Sequence, residues 1–222
     1  EAQVNALVCT ADGSVWLGAG GSLVEYRGRR MRSVPLPDYA QGGRVLALAQ
    51  GADGHLYIAT DVAGVLVRRG TDIKALEGYP TDTAVNARAL LATPDGRLFI
   101  GLRNGLLEWK DGRCRTVPLP QASVSVSALA WSAKGDLWVG TSGFGLYGLL
   151  ANGGLVEYDE ENGLLQNNVR SLVIDARDRV WACTKFGLSV VDLSAQNELA
   201  RIRAFTVHQG LPNDNTWCGF LD

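Results

Sequence analysis

An all-β fold built from one repeated sheet is predicted by a short phrase that recurs five times along the 222 residues of the chain. The phrase places an aromatic residue inside an apolar run just after a turn. The aromatics are Trp16, Tyr57, Phe99, Trp138 and Trp181, and the steps between them are 41, 42, 39 and 43 residues. A period near forty residues with glycine-rich turns is typical of the four-stranded antiparallel blades of a β-propeller.

Each repeat predicts four strands in order. The first and innermost strand carries a small residue followed by leucine, as at Ala6-Leu7, because propeller blades crowd around a common axis. The pair Asp12-Gly13 predicts a two-residue hairpin loop that leads into the aromatic strand. A glycine followed by an apolar residue opens the third strand, as at Gly64, and an outer strand closes the unit.

The repeats divide the chain at regular places. They fall approximately at residues 4–44, 45–86, 87–125, 126–168 and 169–212, and residues 213–222 begin a partial sixth repeat. Propellers close with about four to eight blades. We therefore predict one propeller region that is part of a larger ring, with seven blades favoured over a closed ring of five. The chain begins with Glu1 rather than methionine, so we expect it to be part of a longer protein.

The five strand-centre aromatics are predicted to form the core between blades. They occupy one structural position in every repeat, which packing between blades requires, whereas a stacking platform for a ligand does not. The Asp-Gly turns lack the alternating acidic and amide ligands of a calcium loop. We therefore predict neither a metal site nor a cofactor.

Composition narrows the possible partners and locations. The net charge is −2, so the composition offers no basic surface for a nucleic acid. No apolar run approaches the roughly 20 residues that a membrane helix needs, so a membrane is expected only through segments outside this sequence. The pattern places Cys9 and Cys183 within apolar strands, where we predict buried thiols. The spacing of the four cysteines does not decide whether a disulfide joins distant repeats.

The fifth repeat, residues 162–192, carries a more specific pattern. Its elements are Gly163-Leu164, Asn167-Asn168, Val169, Leu172, Asp175, Trp181, Thr184 and Gly187-Leu188. This pattern resembles the two-component regulator propeller repeat family. The resemblance covers nearly the whole chain and is weaker in repeats two and three. Because Arg177-Asp178 stands where glycine is expected, we expect the fifth hairpin to differ locally.

The resemblance implies a binding module rather than an enzyme. It implies the periplasmic sensor region of a bacterial inner-membrane receptor that acts as a homodimer. The output domain, a histidine kinase or a diguanylate cyclase, would lie outside this sequence. Many relatives sense oligosaccharides, and we expect a small polar ligand here, either a saccharide or an anion.

Two other function classes remain open. Streptogramin lyases have similar propellers and a catalytic histidine. This chain has only His55 and His208, and neither shows a carboxylate partner at useful spacing; His208 is expected in the outer strand of the fifth repeat. A protein-interaction scaffold like the WD-repeat propellers is the third class, although the Gly-His and Trp-Asp signatures of that family are absent.

Positions that vary inside an otherwise fixed repeat indicate where a ligand could bind. One such column lies at the start of the innermost strand, and a second set lies in the turn between the second and third strands. In propellers these two sets share one face, and their cations, amides and aromatics suit a polar or anionic ligand. The candidate ligand-binding residues are Asn5, Asp61, Arg88, Arg103, Asn104, Phe144, Arg170, Lys185 and Phe186.

Overall fold

The computed structural model describes residues 3–80, 87–194 and 202–217. Within these ranges the protein is all-β, with five four-stranded antiparallel sheets in which neighbouring strands pair in chain order. Each sheet is one propeller blade. The chain divides into two compact units, Glu1–Leu119 and Pro120–Asp222, with three blades described in the first unit and two in the second.

The first unit contains blades one to three. Blade one consists of β1 (Val4–Cys9), β2 (Val15–Ala19), β3 (Ser22–Arg27) and β4 (Arg30–Val34). Blade two consists of β5 (Val45–Gln50), β6 (Leu56–Thr60), β7 (Gly64–Arg69) and β8 (Asp72–Ala75). Blade three consists of β9 (Ala89–Ala92), β10 (Leu98–Leu102), β11 (Gly105–Lys110) and β12 (Arg113–Val117). Within this unit, β1 contacts β5 and β5 contacts β9.

The second unit contains blades four and five, whose first strands also contact each other. Blade four consists of β13 (Val126–Trp131), β14 (Leu137–Thr141), β15 (Leu146–Leu149) and β16 (Leu155–Tyr158). Blade five consists of β17 (Ser171–Ile174), β18 (Val180–Thr184), β19 (Gly187–Val191) and β20 (Ile202–Phe205). A 3-10 turn over Val207–Gln209 follows β20. His208 lies in this turn, so its predicted place in the outer strand was wrong.

Within each unit, strand-centre aromatics pack between neighbouring blades. Trp16 of blade one is 3% exposed and packs in one apolar cluster with Leu48, Ile58 and Leu66 of blade two. Tyr57 holds the same position one blade later and packs against blade three. The four aromatics of blades one to four are all buried, which confirms the predicted core.

The fifth aromatic is less enclosed than the others. Trp181 is half-buried, and its ring stacks on Phe205 with the centroids 5.8 Å apart. Its indole nitrogen donates to Asp175 Oδ2 at 3.0 Å. Trp181 therefore keeps one polar contact and remains partly exposed, whereas the equivalent rings of the earlier blades are fully buried.

Glycine is required where inner strands approach most closely. A Cβ atom on Gly18 would lie 2.6 Å from Val45 Cγ1, and one on Gly140 would lie 2.6 Å from Val169 Cγ1. The two glycines hold equivalent positions in blades one and four. Any larger residue at these positions would push the next blade away, because contacts this short do not occur between carbon atoms.

The Asp-Gly turns are longer than the predicted two-residue loops. Thr10 N donates to Ser14 O at 2.8 Å and Gly13 N donates to Thr10 O at 2.9 Å, so three residues lie inside the closing pair. Gly13 adopts a left-handed φ of 81°, as in a type I turn followed by a bulge. The longer loop is favoured because Asp12 Oδ1 accepts hydrogen bonds from Ser14 N and from the Thr10 hydroxyl.

The fifth hairpin adopts the same loop despite its different sequence. Asp175 N donates to Arg179 O at 3.0 Å and Asp178 N donates to Asp175 O at 2.8 Å. Asp178 takes the position of the glycine with a φ of 63°, a conformation that aspartate tolerates better than most residues. The expected local difference was therefore wrong.

One face of blade one is open. Leu7 is 54% exposed, whereas Leu48, its counterpart in blade two, is 8% exposed. Cys9 lies on the same face of β1 as Leu7, because alternate residues of a strand point the same way. Cys9 is exposed and Cys183 is buried, so the prediction of a buried thiol is confirmed for Cys183 and wrong for Cys9.

The matched leucines give a direct test of packing between blades. We expect Leu48→Ala to lower the free energy of unfolding by about 2–4 kcal/mol, because it leaves a cavity between blades. Leu7→Ala should cost less than about 1 kcal/mol, because Leu7 is largely in solvent. Urea denaturation followed by tryptophan fluorescence measures both values, and equal losses in the two variants would contradict the described packing.

Candidate functional site

Of the first set of candidate residues, Asn5 occupies a β-bulge near the start of an innermost strand, and Arg88 and Arg170 directly precede β9 and β17. In blade one the register shifts between Val4 and Ala6, which leaves Asn5 as the bulged residue. The same shift places Leu46 of blade two and Ser127 of blade four in bulges. A bulge frees one side chain from the regular alternation of the strand, so this position can vary without disturbing the core.

In blades two, four and five the second set lies in turns held by buried threonines, whereas Arg103 and Asn104 of blade three follow Leu102. Thr141 Oγ1 donates to Gly145 O at 2.8 Å and accepts a hydrogen bond from Phe144 N at 3.0 Å. The hydroxyl of Thr184 accepts from Phe186 N at 3.1 Å in the same way. The sequence analysis did not select these threonines, although each ends the aromatic strand and their recurrence is visible in the repeat.

Both sets lie at one end of each blade. In blade two, Asp61 N donates to Arg44 O at 3.1 Å, which joins the turn after β6 to the start of β5. In blade four, Ser142 N donates to Ser125 O at 2.9 Å, which makes the equivalent link. We call this end the variable end, and the end with the Asp-Gly turns the opposite end.

Two exposed aromatics stand at the variable end of the second unit. Phe144 is 44% exposed and Phe186 is 54% exposed, and each precedes the glycine near the start of a third strand. The ammonium group of Lys185 lies 6.0 Å from the centre of the Phe186 ring. Because the threonine hydroxyls fix their backbones, these rings project from ordered positions and offer apolar surface beside a cation.

Arg170 is already engaged by a neighbouring segment. Its Nη1 atom donates to Asn215 Oδ1 at 2.6 Å and to Thr216 O at 3.3 Å. Its guanidinium carbon lies 4.2 Å from the centre of the Trp217 ring, which is a cation–π distance. The structure therefore holds Arg170 and the exposed Trp217 together as one cationic and aromatic surface.

The segment that holds Arg170 repeats the geometry of the preceding repeat. Thr216 N donates to Thr184 O at 3.1 Å, just as Val169 N donates to Thr141 O at 2.9 Å. The alignment of the two segments places Trp217 at the position that Arg170 holds one repeat earlier. Trp217 is thus a candidate residue that the sequence analysis left unassigned, and counting from Gly210 would have selected it.

The candidate residues of the first unit differ in how far their side chains are engaged within the protein. Asp61 accepts hydrogen bonds from Arg44 N at 2.6 Å and from Arg44 Nε at 2.8 Å. Although burial acts to raise the pKa of Asp61, the contacts with Arg44 lower it below the ordinary value. The side chains of the remaining four are exposed; these are Asn5, Arg88, Arg103 and Asn104.

His55 has a carboxylate partner, so the prediction that neither histidine has one was wrong. His55 Nδ1 lies 2.6 Å from Asp53 Oδ2, which also accepts from the Tyr57 hydroxyl at 3.1 Å. Sequence spacing does not reveal this pair, because it forms only when the loop folds Asp53 back over the following strand. The three side chains belong to a turn at the opposite end, where burial raises the pKa of Tyr57 to about 12.

The described residues contain neither a cluster of metal ligands nor a helix of membrane-spanning length. Within them, His, Cys, Asp and Glu side chains do not gather in groups of three or more that could hold a metal ion. None of the helical segments in the same ranges is long and apolar enough to cross a membrane.

Comparison with known proteins identifies the fold. No profile of a known protein family matches the sequence, and no curated protein matches it either. Virginiamycin B lyase from Staphylococcus aureus is 15% identical with a TM-score of 0.77, over 97% of this chain and 73% of that chain. At this identity the likeness shows a shared β-propeller fold.

Sensor proteins share the same fold. The extracellular domain of BT3049 from B. thetaiotaomicron, assigned to the hybrid two-component systems, is 17% identical with a TM-score of 0.78. The match covers 96% of this chain and 29% of that chain. The corresponding domain of BT4673 is 20% identical with a TM-score of 0.56, over 100% of this chain and 36% of that chain. This chain thus spans about a third of the length of these sensor domains.

The Asp61 contacts predict a pH-dependent contribution to stability. We expect Asp61→Ala to lower the free energy of unfolding by about 1 kcal/mol at pH 7, because two hydrogen bonds to Arg44 are lost. Because the pKa of Asp61 is lowered in the folded protein, its contribution to stability is fully present above the unfolded pKa of about 3.9. This contribution is lost as the pH falls through the folded pKa. The difference from wild type should therefore shrink below about pH 4.

The control for this prediction is Arg103→Ala at the equivalent turn of blade three. Arg103 is exposed, so its replacement should change stability by less than about 0.5 kcal/mol. Thermal denaturation between pH 3 and pH 7 measures both variants. A loss in Asp61→Ala that stays constant over this range would contradict the ion-pair assignment.

Proposed function

We propose that this chain is the ligand-recognition part of a periplasmic sensor propeller in a bacterial signal-transduction receptor. The observation that carries this proposal is the variable end, where bulges and threonine-held turns present side chains that the repeat does not dictate. The fold likeness to extracellular domains of proteins assigned to two-component systems supports it. In this proposal the chain itself is a binding module without catalytic activity.

The proposed ligand is a small polar molecule, either a saccharide or an anion. Exposed rings such as Phe144 and Phe186 can contact the apolar face of a sugar. Arg88, Arg103 and Lys185 can donate hydrogen bonds to hydroxyl or acidic oxygens. Asp61 acts indirectly in this proposal, because its carboxylate positions Arg44 through two hydrogen bonds.

The proposed signal passes through paired subunits. Ligand binding at the variable end would shift the relative position of two subunits in a homodimer. Membrane segments outside this sequence would carry the shift to a histidine kinase or diguanylate cyclase. Such a shift requires that the ligand bind the two states with different affinity.

The proposed native ring is larger than five blades and contains seven. The open face of blade one supports this proposal, because Leu7 is exposed where Leu48 is covered by a neighbouring blade. The bond from Thr216 to Thr184 also supports it, because it repeats the link that starts blade five. In this proposal residues 213–222 begin the next blade.

One observation supports the lyase alternative, namely the short contact between His55 and Asp53. This pair closes a turn at the opposite end of blade two, away from the candidate ligand residues. Turnover of a streptogramin B antibiotic that disappears in His55→Ala or His208→Ala would overturn the proposal of a non-enzymatic module. A screen in which no saccharide or anion binds would favour the interaction scaffold instead.

The sensor proposal is tested by paired aromatic variants. We expect a library of saccharides and small anions, screened by thermal shift, to contain a ligand that stabilises the chain. Replacing Phe144 and Phe186 together by alanine should weaken binding of that ligand about tenfold, because ring contacts are lost. Isothermal titration calorimetry measures the dissociation constants.

The matched control is Leu155→Ala in the second unit. Leu155 is 48% exposed, close to the exposure of the two phenylalanines, but it lies beside the turn between β15 and β16 at the opposite end. Its replacement should leave ligand affinity unchanged. Equal weakening in the control and in the double variant would contradict recognition at the variable end.

A further inference from the structure

The hairpin between β3 and β4 combines four cations with an exposed apolar side chain. It carries Arg27, Arg29, Arg30, Met31 and Arg32, and we call residues 27–32 the basic hairpin. All five side chains lie on the surface, and Met31 is 72% exposed. The overall charge of −2 conceals this local concentration.

Most of this positive charge is uncompensated. Arg27 Nη1 lies 3.3 Å from Asp12 Oδ2, which neutralises one of the four cations. Across the part of the chain that the structure describes, Arg29, Arg30 and Arg32 form no ion pair within 4.0 Å. The hairpin therefore presents three guanidinium groups outside ion pairs, and one of them, that of Arg32, lies on β4 opposite Glu25 of β3.

The same hairpins of blades two and three are also basic, but they carry acidic partners. Lys74 Nζ lies 2.7 Å from Asp72 Oδ2 in blade two. Arg115 Nη2 lies 2.8 Å from the buried Glu108 in blade three. The same glutamate recurs in blade one as Glu25, opposite Arg32, but among the described residues these two side chains form no ion pair within 4.0 Å.

Arg29 occupies a turn position that favours glycine. Gly28 and Arg29 form a two-residue loop with φ values of 56° and 65°, as in a type I′ turn. Glycine or asparagine adopts the second position more readily than arginine. Gly112 occupies this position in blade three with a φ of 77°. Arginine at this position therefore adds a positive charge where glycine would suit the backbone better.

We propose that the basic hairpin binds the surface of an anionic phospholipid bilayer. Clustered arginines are attracted to anionic head groups. Met31 and its cross-strand neighbour Tyr26, which is 39% exposed, suit the boundary between head groups and acyl chains. A nucleic acid would use the cations but would gain little from an exposed methionine.

The position of the hairpin adds a functional consequence. The turn between β3 and β4 lies at the opposite end of blade one, as the contact between Arg27 and Asp12 shows. Binding through this hairpin would direct the variable end of the blade away from the bilayer. This orientation leaves the candidate ligand residues accessible, but the membrane proposal does not depend on the sensor proposal.

Vesicle co-sedimentation tests the proposal. The chain should bind vesicles that contain phosphatidylglycerol and should not bind vesicles of phosphatidylcholine alone. Replacing Arg29, Arg30 and Arg32 together by glutamine should lower binding about a hundredfold, at roughly fivefold for each cation. The matched control replaces Arg113, Arg177 and Arg203, which are exposed in other blades, by glutamine and should bind like wild type.

Two single variants separate the contributions of charge and fold. Arg29→Gly should weaken vesicle binding several-fold while its melting temperature stays equal to wild type or rises, because glycine suits the turn. Met31→Ser keeps every charge and should also weaken binding several-fold. Equal binding by wild type and the triple glutamine variant would overturn the proposal. Binding of duplex DNA through the same arginines, without binding to vesicles, would also overturn it.

Discussion

The packing of each blade against the next is the interaction on which the rest of the structure depends. Trp16 enters an apolar surface made by Leu48, Ile58 and Leu66, and the guanidinium carbon of Arg68 lies 4.4 Å from the centre of its ring. Neither face is buried within a single blade, because a four-stranded sheet cannot cover itself. The inner strands must also approach closely, which is why Gly18 bears no side chain. Together these contacts set the distance between neighbouring blades and therefore the distance between their ends.

This fixed spacing leaves the ends of the blades free to differ. At the variable end of blades one, two and four a bulge releases one side chain, and threonine hydroxyls such as that of Thr141 order the adjacent turn. At the opposite end, aspartates such as Asp12 close the loops, and the basic hairpin interrupts the usual pairing of charges. The same repeat therefore supports two chemically distinct surfaces, for which we propose recognition of a ligand and contact with a bilayer.

The sequence was sufficient to predict the repeat and its core but not contacts that depend on loop geometry. Burial of Trp16 follows from its recurrence, since only packing demands an aromatic at each step. Counting from Gly210 selects Trp217, but its contact with Arg170 depends on how the segment before Trp217 folds against blade five. The partner of His55 was missed because a three-residue loop, rather than the predicted two-residue loop, brings Asp53 back to it. Exposure of Cys9 depends on what covers a whole sheet face.

The central claim is that ligand recognition is confined to the variable end of the blades. Hydrogen–deuterium exchange, measured with and without a ligand that stabilises the chain, tests this most directly. The account predicts slower exchange at the backbone amides of the turns that contain Phe144 and Phe186, with the Asp-Gly turns unchanged. Protection centred on the turns that contain Gly13 and Gly54, with no change at the variable end, would contradict it.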